Sequence, residues 1–123
     1  MIVIGEKLNS SIPSVYAAIE KKDSRFVSDL AVKQEEAGAH FLDINAGMFV
    51  EAEEENLRWL MNTVQAVSKL PLVIDTPDPS VALALAKEYR GEKPVINSVT
   101  LEENRFAPMV EAAKTCGAAM VAL

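Results

Sequence analysis

At 123 residues the chain is sized for one domain around a single modest core. Its composition, 50% hydrophobic and 24% charged, is that of a folded globular protein, and a net charge of −6 argues against non-specific binding to nucleic acid or an anionic membrane. The lone Cys116 excludes an internal disulfide framework, and no apolar run approaches the roughly 20 residues of a membrane span. The opening Met-Ile-Val-Ile meets Gly5-Glu6-Lys7 too soon for a signal peptide, so the expectation is a reduced, cytoplasmic protein.

The β-branched run 1–4 predicts a first strand, followed by polar Glu6, Lys7 and Asn9. A Ser-Ser-Ile-Pro loop leads to a short helix over 13–21, with Pro13 in its first turn. Asp23 or Ser24 then caps a longer helix whose Val27, Leu30, Ala31 and Gln34 share a face, and Gly38 ends it. The second strand spans 40–45. Four acids within 51–55 open the next helix at the end where negative charge suits the helix dipole. Its buried stripe is Leu57, Leu60, Met61, Val64 and Val67 or Ser68. Glu53-Glu54-Glu55 reads as a solvated helix start.

The third strand is 72–75, and Asp78-Pro79 starts an Ala/Leu-rich helix that runs to about Tyr89. The fourth strand is 95–97. Thr100 and Glu103 have capping-box spacing for a last helix, which Pro108 should kink or restart and Gly117 should end. Residues 118–123 are apolar and strand-like. Strands that alternate with helices in this way predict a parallel sheet with crossover helices. The Gly-rich turn of a dinucleotide-binding fold is missing after the first strand, which favours a (βα)8 barrel. The chain would then supply the first four βα units and strand five as one partial domain, 1–123.

Three of the predicted strands end in acids or amides: Asp43 and Asn45, Asp75, and Asn97 with Ser98. Glu6 and Asn9 follow the first. In parallel α/β proteins the carboxyl ends of the strands face the ligand, so these residues form the candidate site. Without His or Cys among them, a transition-metal site and a Ser-His or Cys-His nucleophile lack support; a Mg²⁺ site from Asp43 and Asp75 stays open. Acceptors and amides in a dry pocket suit a flat heterocycle with several N–H donors. A carboxylate accepts two parallel bonds from an N–C–N edge, and an Asn donates and accepts at once. Structural readings stand beside these. Asp43, Asn45 and Asn97 also suit loop-holding roles, and Glu6 suits an ion pair with Lys7 or Lys33. His40, at strand entry, belongs to the stability end of a barrel. Trp59 marks a subunit contact or a half-buried surface, and Cys116 fills space.

The ordered set Gly5-Glu6-Lys7-Leu8-Asn9, Leu42-Asp43-Ile44-Asn45-Ala46-Gly47, Ile74-Asp75-Thr76 and Ile96-Asn97-Ser98 resembles the start of the pterin-binding methyltransferases. The likeness is strongest to those that move a methyl group between methyltetrahydrofolate and a corrinoid protein. It implies a (βα)8 barrel, often homodimeric, with Asp75 and Asn97 on the pterin ring. Glu6, Asp43, Asn45, Asn9 and Ser98 would stand on the pterin or just behind those two. It further implies tetrahydrofolate or 5-methyltetrahydrofolate as substrate, cobalamin on a partner protein, and transfer between the pterin N5 and cobalt. The Asn that polarises N5 and a further pterin-binding Asp would lie on strands beyond Leu123. Dihydropteroate synthases share the Asp-then-Asn pair but differ after strands one and two, where this chain has Asn9-Ser10-Ser11-Ile12-Pro13 and Asn45-Ala46-Gly47-Met48. The rival of another class is a non-catalytic half barrel, since a full barrel takes about 250 residues. An end within the apolar Met120-Val121-Ala122-Leu123 reads as an excerpt of a longer chain.

Overall fold

The computed structural model describes residues 1–123, apart from the side chain of Glu103. In chain order it comprises β1 (Ile4–Asn9), α1 (Pro13–Glu20), α2 (Ser24–Glu36), β2 (Phe41–Asn45), α3 (Glu53–Gln65), β3 (Leu72–Asp75), α4 (Pro79–Glu88), β4 (Val95–Val99), α5 (Glu103–Cys116) and β5 (Ala119–Ala122). The strands form one sheet in the order β1-β2-β3-β4-β5, with every neighbouring pair parallel. A doubly wound sheet reverses its strand order at a switch point. This one never reverses, so it is the partial TIM-type (βα) barrel that the strand–helix alternation predicts.

Period-two alternation gives the sheet two different faces. Leu42, Ile44, Leu72 and Ile74 point to one of them and are fully buried in a cluster with Val27 and Ala31 of α2, Leu57, Leu60, Met61 and Val64 of α3, and Val81 and Leu85 of α4. Ile96 and Val99 continue that layer with Met109 and Ala113 of α5. The intervening residues Asp43, Asn45, Asp75 and Asn97 therefore face the barrel interior. Trp59 and Cys116 pack partly buried against the core, and the Lys22 ammonium sits 5.3 Å from the Trp59 ring centroid.

Local chemistry sets most boundaries. Asp23 caps α2 by accepting from the Phe26 N–H at 3.1 Å, and Asp78 caps α4 by accepting from the Ser80 N–H at 2.8 Å. Gly117, at φ 64°, closes α5 in the left-handed region. Tertiary pairing overrode the sequence pattern elsewhere. The first strand is Ile4–Asn9 and not 1–4, and Met1 and Ile2 are exposed. Its register explains why: Gly5 pairs with Leu42, whereas Leu8 pairs with Ile44 and Asn9 with Asn45. The extra residue is a bulge, and it swaps the side chains so that Leu8 enters the core and Asn9 joins the polar row. Gln34 of α2 holds the bulge by accepting from the Lys7 N–H at 2.9 Å. A Cβ on Gly5 would come within 2.7 Å of that Gln34 oxygen, so a side chain there would have to displace Gln34 from the bulge.

The fourth strand continues past Asn97 to Val99, because β5 pairs along it with a shift after Asn97. The N-cap of α5 is Glu102 without a side-chain bond, and not Thr100; the expected return contact from the Glu103 side chain lies outside the described residues. Pro108 sits inside α5 without restarting it. Val67 is exposed, and Ser68 takes the buried place at the end of the α3 stripe.

Candidate functional site

Parallel register sets the strand ends level. Asn9 is opposite Asn45, Asn45 opposite Asp75, and Asp75 opposite Asn97. Hydrogen bonds tie the row together on the interior face. The Asn45 amide donates to Asp75 Oδ2 at 3.0 Å, and the Asn97 amide donates to Asp43 Oδ2 at 3.2 Å. Asp43 lies one step deeper on β2 and is 2% exposed, whereas Asp75 and Asn97 remain partly open. A cavity of about 170 Å³ opens beside them, lined by Asp75, Thr76, Asn97, Ser98, Thr100 and Arg105 among others.

Burial of several acids with little cationic company shows in their protonation. Desolvation, the nearby Asp75 charge and the Glu6 charge push the Asp43 carboxyl up to about 7, against the Asn97 hydrogen bond that favours its ionised form. Asp75 is also raised, chiefly by desolvation and then by Glu6, but the Asn45 amide and a hydrogen bond with Asp43 act to keep it charged. Asp43 and Asp75 are diagonal neighbours on the same face of β2 and β3, and of the two Asp43 is the more enclosed.

Of the residues expected at the site, Asp43, Asn45, Asp75 and Asn97 form the bonded row, and Ser98 lines the adjoining cavity. Glu6 reaches the cluster through its field, and among the described residues it forms no ion pair with Lys7 or Lys33. Asn9 is level with the row, but its side-chain oxygen accepts from the Ser11 N–H at 2.8 Å and so holds its own turn. The loop-holding role expected of Asn45 is present, since its Oδ1 accepts from the Gly47 N–H at 2.9 Å and from Ser10 Oγ at 3.2 Å.

Sequence reasoning missed a supporting layer. The Ser10 hydroxyl accepts from the Met48 N–H at 3.1 Å and so ties the β1–α1 loop to the β2–α3 loop. Thr76, 1% exposed, donates to Glu53 Oε1 at 2.8 Å and accepts from the Asp78 N–H at 3.2 Å. Glu53 is thus half-buried and its carboxyl is raised, mainly by desolvation, unlike the freely solvated helix start expected of the acidic run. The one legible signal was Thr76 next to Asp75. Arg105 lines the cavity from α5 and lies 3.5 Å from Glu102; its place on a helix of unremarkable pattern gave no sign.

A larger cavity, about 820 Å³, lies at the opposite end of the sheet beside Phe41, Leu70, Pro71 and Tyr89. It receives no strand-end acid or amide. His40 is at that end too, with its Nδ1 accepting from the Val3 N–H at 3.0 Å. Among the described residues no group of three or more His, Cys, Asp and Glu is arranged to hold a metal ion, and no helix is long and apolar enough to cross a membrane.

A sheet wound in one sense, with carboxyls and amides bonded into a row at its carboxyl ends, places the chain in the class of parallel (βα) barrels, in which ligand sites lie at that end. Within that class, residues 5–123 match the model of the pterin binding enzyme family, and the chain belongs to that family. The resemblance carried by the four strand-end motifs is thereby borne out. The chain is 47% identical over 107 residues to a methylcorrinoid:tetrahydrofolate methyltransferase of Eubacterium limosum, a match that covers 86% of this chain and 39% of that protein. It is 32% identical over 129 residues to a methionine synthase of Mycobacterium leprae, and 30% identical to one of Mycobacterium tuberculosis; each match spans the whole chain and 11% of the relative. The chain thus spans well under half the length of these curated relatives.

Proposed function

We propose that this chain is the pterin-recognising part of an enzyme that moves a methyl group between N5 of methyltetrahydrofolate and the cobalt of a corrinoid protein. The observation that carries the reading is the bonded row of Asn45, Asp75, Asn97 and Asp43 at the level where the strands end. The printed activities of the relatives, a methylcorrinoid:tetrahydrofolate methyltransferase and methionine synthases, support the same choice. The dihydropteroate synthase reading finds no comparable support among those relatives.

In this reading Asp75 accepts from the amino group and adjoining ring N–H of the pterin, with Asn45 fixing the carboxylate from behind. The Asn97 amide nitrogen is engaged by Asp43, which turns its oxygen toward a ring N–H. Ser98 closes the side of the cavity. Glu6 and Asn9 shape the β1 rim. Bound to its own protein, the corrinoid supplies the metal that takes or gives the methyl group. The residues of this chain orient the ring so that N5 faces the barrel mouth, and a group that polarises N5 would come from beyond Leu123. Assembly as a homodimer and a cytoplasmic location complete the proposal.

Calorimetric titration of the full-length protein with 5-methyltetrahydrofolate tests it. Asp75→Asn replaces a charged two-point acceptor, and affinity should fall at least about tenfold, equivalent to about 1.4 kcal/mol. Unchanged affinity would sink the assignment of Asp75 to the pterin.

A further inference from the structure

Asp43, 2% exposed, is the deepest polar group of the row. From β1 it is faced by Glu6, from β3 by Asp75 and from β4 by the neutral Asn97 amide. From the helices, Glu53 of α3 reaches the cluster through Thr76, and Arg105 of α5 lines the cavity wall beside Glu102. No lysine or arginine forms an ion pair with Asp43 or Asp75 among the described residues. Asp43 and Asp75 are diagonal neighbours on one face of β2 and β3; two carboxyls placed so in a dry interior cannot both ionise cheaply, and the better solvated one with the stronger donors keeps the charge. Asp75 has the Asn45 amide and the more open position, whereas Asp43 is enclosed.

We infer that Asp43 works as a neutral carboxylic acid, a positioning residue that donates its proton to Asp75 and thereby holds Asp75 as the single, oriented carboxylate offered to the pterin edge. This inference rests on the pterin reading and adds the protonation state in which that site binds. A bound ring covers the cavity and dries Asp43 further, which favours its neutral form. The sign follows. Below a pH near the Asp43 value of about 7 the site is already in its binding state. Above it, binding must draw one proton from solution, and affinity declines.

The test is calorimetric titration of the full-length protein with 5-methyltetrahydrofolate in buffers of different ionisation enthalpy. For the wild type we expect almost no proton uptake at about pH 6, uptake approaching one proton at about pH 8.5, and affinity falling toward tenfold per unit above the transition. Asp43→Ala should weaken binding at about pH 6 by at least tenfold, and Asp43→Asn, which keeps a donor for Asp75, should recover most of that loss with an affinity that no longer varies with pH. A wild type that takes up no proton across this range overturns the inference whether or not the variants fold. So does an Asp43→Asn protein with the wild-type pH profile. A wild type that fails to bind 5-methyltetrahydrofolate at any pH overturns the pterin reading itself, and the role of Asp43 with it.

Discussion

The two faces of the same strands differ by one residue in sequence and by almost everything in their requirements. Leu42, Ile44, Leu72, Ile74 and Ile96 meet the helices, are fully buried, and need only apolar neighbours of the right size. Asp43, Asn45, Asp75 and Asn97 meet the barrel interior, where each buried polar atom must find a partner or lose about 1–3 kcal/mol. The helix face therefore carries stability, and the interior face holds its acids and amides in a hydrogen-bonded row, Asn45 on Asp75 and Asn97 on Asp43.

Substitutions on the two faces should separate these roles. Ile74→Ala on the helix face should destabilise the full-length protein by about 2–5 kcal/mol in urea unfolding, because the site is fully enclosed and collapses poorly. Asp75→Asn, on the next residue, should do the reverse. It loses about tenfold or more in methyltetrahydrofolate affinity and leaves the unfolding midpoint equal or higher, since it removes a desolvated charge. A midpoint lowered as far as that of Ile74→Ala would erase the distinction between the faces.

Smaller effects probe the layer behind the interior face. Glu53→Ala deprives the buried Thr76 hydroxyl of its acceptor and loosens the loop after Asp75, so pterin affinity should drop a few fold, within about 1 kcal/mol. Glu53→Gln keeps an acceptor oxygen and should restore it; equal losses in both variants would point to the charge and not the bond. The smallest effect belongs to His40→Gln at the amino end of β2, where methyl-transfer rates should stay within about threefold of wild type, since active sites in such barrels lie at the other end. A hundredfold fall would mean that the catalytic end has been assigned to the wrong side of the sheet.

Much of this architecture is dictated locally. Period-two alternation in 72–75, the Asp23 and Asp78 caps, the first-turn Pro79 and the Gly117 ending each act within a turn or a strand, so their physics is complete in a few neighbouring residues. The strand-end acids and amides were legible for the same reason: Asp75 after Leu-Val-Ile has no local explanation and so points to the site. Only the tertiary structure decided what depends on distant partners. The start of β1 was misplaced because its bulge exists to match Leu8 and Asn9 to β2, under a glutamine contributed by α2. Glu53 became a site support only when α3 came to rest beside Thr76. The raised carboxyl of Asp43 arises from strands laid side by side in a dry interior, and charge, burial and register must meet in space before such a shift exists.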